Sequence, residues 1–152
     1  IRLAALLESD PNFEVKVSRP TAETSLGTSN ASSLAARVNA ANTWGADYFI
    51  SLHCNASVNT SASGTEAYAY STDSQGFALG QAIIENISRI VGIPNRGAFA
   101  RPSLYVLRRT AMPAVLIEMA YITNETDRNL LTNSPELFAE AIYQGILQYF
   151  GL

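Results

Sequence analysis

Two stretches of this chain constrain its fold more than any others: "DYFISLH", residues 47–53, and "PAVLIEM", residues 113–119. Neither alternates apolar with polar side chains, as a strand with one wet face does. Short, nearly unbroken apolar runs of this kind belong to strands covered on both faces, inside a sheet with a helix layer on each side. Each run also carries an ionisable group toward its end, His53 in the first and Glu118 in the second. In open α/β sheets, ligand sites gather outside the carboxyl ends of the strands.

The neighbouring segments fit the same plan. "IRLAALLES" has Leu3, Leu6 and Leu7 at helical spacing, stopped by Asp10 and Pro11, and it reads as the last half of a helix. "FEVKVSR" alternates and reads as a strand, and residues 20–33 form a polar loop. "SSLAARVNAANTWG" is a helix with Leu34, Val38 and Ala41 inward and Gly45 at its end. "TEAYAY" is a strand. The helix that follows, "SQGFALGQAIIENISRIVG", buries Leu79, Ile83, Ile87 and Ile90 and stops at Gly92. Residues 93–103 read as a loop and "LYVL" as a short strand. A last helix starts with Ser134 as N-cap and Pro135 in its first turn. The alternation predicts an α/β fold: a twisted, mixed, mostly parallel sheet flanked by helices on both faces. With 152 residues and no internal repeat, one domain over residues 1–152 is expected.

Charge narrows the partners. The net charge is −3 with no basic run, so no nucleic-acid partner is expected. No apolar run is long enough to span a membrane. The single cysteine excludes an internal disulfide and a cysteine-based zinc knuckle. The single histidine excludes H-E-x-x-H, and the nucleophile elbow and phosphate-binding glycine loops are absent.

Three residues remain as candidates for chemistry. Glu118 leaves a buried strand, where desolvation raises a carboxyl pKa toward the range of a general acid or base. The alternative is a structural pairing with Arg108 or Arg109. His53 is either a core histidine bonded to a backbone carbonyl or one ligand of a zinc ion. Cys54 points to the opposite strand face and is expected to be a small buried apolar group. Glu66 shares a strand face with Tyr68 and Tyr70, and structural pairing is its default role.

Taken together and in order, "ADYFISLHCNAS", "GTEAYAY" and "LYVLRRTAMPAVLIEMAYITNETDRNLL" resemble the zinc-dependent N-acetylmuramoyl-L-alanine amidases of the amidase-3 family. "EVKVSR", "LAARVNAANTWGADYFISLH" and "FAEAIYQGILQYF" extend the resemblance over essentially the whole chain. The resemblance implies a peptidoglycan hydrolase that cuts the amide between N-acetylmuramic acid and the L-alanine of the stem peptide. The family holds zinc with His, Glu and His and uses a further Glu as base. The S-[IL]-H-x-N motif, "SLHCN" here, maps a zinc ligand onto His53 and also contains Asn55. The P-A-V-L-x-E motif maps the catalytic base onto Glu118. Asn55, Glu66, Arg96, Arg101 and Arg108 are candidate substrate contacts, the arginines facing the acidic stem peptide.

The family also begins with a strand ending in a D-x-G-H-G-type motif and a zinc-binding Glu near its first helix, and neither occurs in residues 1–152. Only one of the three expected Zn2+ ligands is therefore present in this chain. Association with an N-terminal segment that carries the others is expected, at an exposed sheet edge. The implied location is extracytoplasmic or at the cell wall, in a bacterial autolysin or a phage-encoded lysin. Two other functions stay open: a non-catalytic wall-binding or regulatory relative, and a different zinc hydrolase such as a carboxypeptidase.

Overall fold

A computed structural model describes residues 1–152. The elements run α1 (Arg2–Glu8), α2 (Asn30–Trp44), β1 (Phe49–Asn55), β2 (Thr65–Ala69), α3 (Gln75–Val91), β3 (Asn95–Ala100), α4 (Tyr105–Arg108), β4 (Ala114–Tyr121), α5 (Glu125–Asn133) and α6 (Pro135–Phe150). The four strands form one sheet in the order β1-β4-β2-β3. β1 is parallel to β4 and β2 to β3, while β2 and β4 are antiparallel. The sheet is thus mixed and mostly parallel, as expected.

Helices cover both faces of the interior strand β4, which is why its run is apolar throughout; β1, whose run predicted the same cover, is instead an edge strand with no residue fully buried and Leu52, His53 and Cys54 exposed. On one face Leu79, Ile83 and Ile87 of α3 and Phe138, Ile142 and Ile146 of α6 pack with Ala67, Val115 and Ile117. On the other, Val38 of α2 and Val106 and Leu107 of α4 pack with Tyr68, Ala114 and Leu116. The strand residues divide by parity between the two faces, as side-chain alternation requires. α3 and α6 cross closely at Gly145, where a Cβ would lie 2.6 Å from the Ile83 Cα.

Four other sequence expectations need correction. Residues 13–17 alternate between half-buried and exposed, yet they form no strand. Their side chains are held from the flanks, with the Phe13 ring 6.0 Å from Phe150 and the Lys16 ammonium 5.8 Å over Trp44. A ladder needs a neighbouring backbone as well, and none pairs with this segment. "LYVL" is the short helix α4 rather than a strand: Val106 and Leu107 are both buried, and the Thr110 hydroxyl donates to the Val106 carbonyl at 2.8 Å. The supposed loop 93–103 contains the edge strand β3, whose polar residues and Gly97 hide a strand signal. Ser134 does stand at the N-cap of α6, but its side chain makes no capping bond there. Helix α5, capped by the Asn124 side chain on the Asp127 N–H, had no clear sequence signature of its own.

Candidate functional site

The strand register builds the site. His53 of β1 stands opposite Glu118 of β4, and Glu118 stands opposite Glu66 of β2. Parity places all three on the sheet face that carries Ala114, Leu116 and Tyr68. The three residues therefore form a row across adjacent strands, about 4.8 Å between neighbours. The row lies toward the carboxyl ends of the parallel pair β1 and β4, where α/β folds place their sites.

Each member has a distinct environment. The Glu118 Oε2 atom is buried and has no hydrogen-bond partner. Burial, followed by the negative charge of Glu66, pushes the Glu118 carboxyl above its ordinary range, and the Arg101 guanidinium partly offsets this. The Thr65 hydroxyl donates to the Glu118 carbonyl at 3.0 Å and fixes the strand at that point. Glu66 is 7% exposed and well partnered. Asn55 Nδ2 donates to its Oε1 at 2.6 Å, and Arg96 Nε lies 3.8 Å from Oε2. His53 is open on one side, and its Nε2 is 2.9 Å from the Ser51 hydroxyl. Desolvation by the sheet and the nearby Arg37 charge hold the imidazole below its usual pKa, which favours the neutral form that a metal ligand requires.

Arginines and tyrosines close the other end of the row. The Arg101 guanidinium lies 4.4 Å over the Tyr68 ring and that of Arg96 5.2 Å over the Tyr121 ring. Burial, with the hydrogen bond and charge of Glu66, pushes the Tyr68 phenol up to about 12. Behind the row sits Asp127, fully buried, which accepts from Ser63 Oγ at 2.6 Å, Gly64 N–H at 3.0 Å and Tyr121 N–H at 2.9 Å. It ties the entry of β2 to the exit of β4 and so holds Glu66 in register with Glu118.

Comparison with known proteins identifies the family. The family model for N-acetylmuramoyl-L-alanine amidase, Amidase_3, matches residues 1–148. The chain belongs to that family. It is 37% identical over 141 residues to the N-acetylmuramoyl-L-alanine amidase CwlM of Bacillus licheniformis, covering 92% of this chain and 51% of CwlM. It is 33% identical over 106 residues to the probable cell wall amidase LytH of Staphylococcus epidermidis, covering 68% of this chain and 35% of LytH. The crystal structure of N-acetylmuramoyl-L-alanine amidase from Clostridium difficile 630 superposes with a TM-score of 0.86 at 30% identity, over 99% of this chain and 78% of that one. The chain thus spans about half the length of CwlM and a smaller part of LytH.

Within this amidase-family domain, the sequence candidates do not all meet. His53, Glu118, Glu66, Asn55, Arg96 and Arg101 come together. Arg108 is exposed on α4 and makes no bond to the row, and Arg109 is likewise turned out, its carbonyl accepting from Asn42 Nδ2 at 3.0 Å. The charge that reaches Glu118 is that of Arg101 instead. Cys54 is exposed rather than buried, because helix cover gives out at that end of β1, where Leu52 is exposed too. Asp127 and Tyr121 were missed by sequence reasoning; the one signal available was an acidic residue three positions after the capping Asn124. No three His, Cys, Asp or Glu side chains converge to hold a metal ion, so these residues alone do not fit a complete zinc site.

Proposed function

We propose that this domain cleaves the amide between N-acetylmuramic acid and the L-alanine of the peptidoglycan stem peptide, with Glu118 as general base and acid. The observation that carries the proposal is the His53–Glu118–Glu66 row with its buried, unpartnered Glu118 oxygen. A carboxylate whose pKa is raised by burial can take the proton of an attacking water. As the water oxygen bonds to the lactyl carbonyl carbon, Glu118 receives that proton. It then passes the proton to the alanine nitrogen while the C–N bond breaks. The products are a free lactyl carboxylate and a stem peptide with a new amino terminus. Glu66, anchored by Asn55 and Arg96, lies beside Glu118, and its proximity favours the protonated state of Glu118 between the two transfers. The exposed guanidinium groups of Arg96 and Arg101 face the carboxylates of the stem peptide.

The family resemblance also implies zinc, with His53 as one ligand. The remaining ligands would come from a segment outside residues 1–152 that adds to the free edge of β1. Three features support this association: β1 pairs only with β4, residues 13–17 alternate in burial without a ladder partner, and His53, Leu52 and Cys54 are exposed. No helix is long and apolar enough to cross a membrane. We place the site of action at the cell wall, outside the cytoplasm, in keeping with the family and with LytH, which is named a probable cell wall amidase.

Product analysis tests the activity. The polypeptide containing this domain, supplied with zinc and a defined muropeptide, is expected to release an intact stem peptide and an intact disaccharide bearing a free lactyl group. Released single amino acids would indicate a carboxypeptidase instead. Binding without turnover would indicate a wall-binding relative.

A further inference from the structure

The edge strand β3 carries an aromatic ring on the same face as the carboxylate row. Phe99 is in register with Tyr68, and their rings are 6.1 Å apart. The Phe99 ring folds back along β3 over Gly97. A Cβ at Gly97 would lie 3.5 Å from the Phe99 Cζ and 3.8 Å from its Cε2, and the positive φ of 98° there also favours glycine. The ring therefore rests on backbone that glycine leaves bare. One residue before Gly97, Arg96 reaches Glu66. Phe99 is 47% exposed, so part of its surface is uncovered. Arg96, which reaches Glu66, and Arg101, over the Tyr68 ring, are both exposed and supply guanidinium groups on that face.

A single exposed phenylalanine needs no explanation by itself. This one adjoins the row, has a floor made for it, and shares its face with the guanidinium groups of Arg96 and Arg101. We propose that Phe99 is a stacking platform for a pyranose ring of the glycan strand. The inference rests on the amidase function proposed above and names how the sugar side of that substrate is held. A pyranose presents an apolar face of C–H groups inside a rim of hydroxyl and acetamido groups. It therefore needs a flat apolar surface with donors at the margin. Phe99 is two strands across and two residues along from Glu118, about 12 Å from Cα to Cα. That span accommodates the lactyl bridge and a sugar ring between the scissile amide and the platform. The acidic stem peptide finds better partners in the guanidinium groups, and a short aliphatic side chain would require an enclosure that a half-exposed ring does not provide.

The test is an amide-resolved NMR titration of the protein with a peptide-free tetrasaccharide of alternating N-acetylglucosamine and N-acetylmuramic acid. Perturbations should centre on Gly97, Phe99, Tyr68 and Arg101. Phe99→Ala should weaken binding about tenfold, while Phe99→Trp should keep it close to the parent value. An unchanged Kd in Phe99→Ala overturns the proposal. So does a titration in which the free stem peptide, rather than the glycan, perturbs Phe99. Failure of the amidase function has a separate signature: an intact muropeptide that leaves His53 and Glu118 unperturbed.

Discussion

Replacing Asp127 isolates what holds the two carboxylate-bearing strands in register. Its Oδ2 accepts from the Gly64 and Tyr121 N–H groups and its Oδ1 from the Ser63 hydroxyl, all in a fully buried position. Asp127→Ala leaves two buried backbone donors without an acceptor, at about 1–3 kcal/mol each, so the expected loss is about 4 kcal/mol. That is a large share of the roughly 5–15 kcal/mol that stabilises a typical domain. Asp127→Asn behaves differently. Its amide oxygen can keep both backbone bonds, and its NH2 can donate to the Ser63 hydroxyl, which accepts as readily as it donates. The expected cost is under about 1.5 kcal/mol. Both variants remove the same charge from the first turn of α5, so the difference between them reports the hydrogen bonds together with the small cavity that alanine leaves. Urea unfolding followed by circular dichroism and fluorescence gives both numbers. Equal losses in the two variants would show that charge is what matters at this position. A loss below about 1 kcal/mol in Asp127→Ala would refute the anchoring role.

Other perturbations probe the packing, the titration behaviour and the metal. Gly145→Ala should destabilise by about 1–3 kcal/mol despite the better helix propensity of alanine, because the new methyl meets the backbone of Ile83 and Ala82; a thermal melt at or above the parent value would contradict the close crossing. Burial and the hydroxyl of Tyr48, 3.0 Å away, push the Tyr149 phenol up to about 12. The folded state then keeps a proton that the unfolded chain loses near pH 10, so stability is full below about pH 10 and falls as pH rises toward about 12. Urea midpoints across that range should fall less steeply in Tyr149→Phe. His53→Ala should abolish zinc uptake in the polypeptide whose metal site is complete, as metal analysis after dialysis would show. Retention of zinc at unit stoichiometry would remove His53 from the ligand set.

β4 was legible because burial on both faces leaves an apolar run that few other structures explain, whereas the similar run of β1 belongs to a half-exposed edge strand. Gly45 and Gly92 end their helices in the left-handed conformation, as their positions suggested. The edge was much harder to read. β3 opens with Asn95, Arg96 and Gly97 and keeps only a short Ala-Phe-Ala stretch, too little to distinguish it from a loop. Residues 13–17 show the converse: they have a strand's pattern and lack the partner that makes a strand. The site divides in the same way. His53 and Glu118 stood out as ionisable ends of apolar runs, but their pairing with Glu66 depends on an antiparallel register between β2 and β4 that no local pattern encodes. Arg101 rather than Arg108 reaches the row because "LYVL" turns as a helix and carries Arg108 outward.

The proposed role of Glu118 is tested most directly by turnover of a defined muropeptide by Glu118→Gln, in the zinc-loaded polypeptide that contains this domain. The amide fits the same space but can neither take nor give the proton. Stem-peptide release should fall by about 10²–10⁴-fold while muropeptide binding and the unfolding midpoint stay near the parent values. Turnover at the parent rate in a folded, zinc-loaded Glu118→Gln protein would contradict the assignment of Glu118 as the proton carrier.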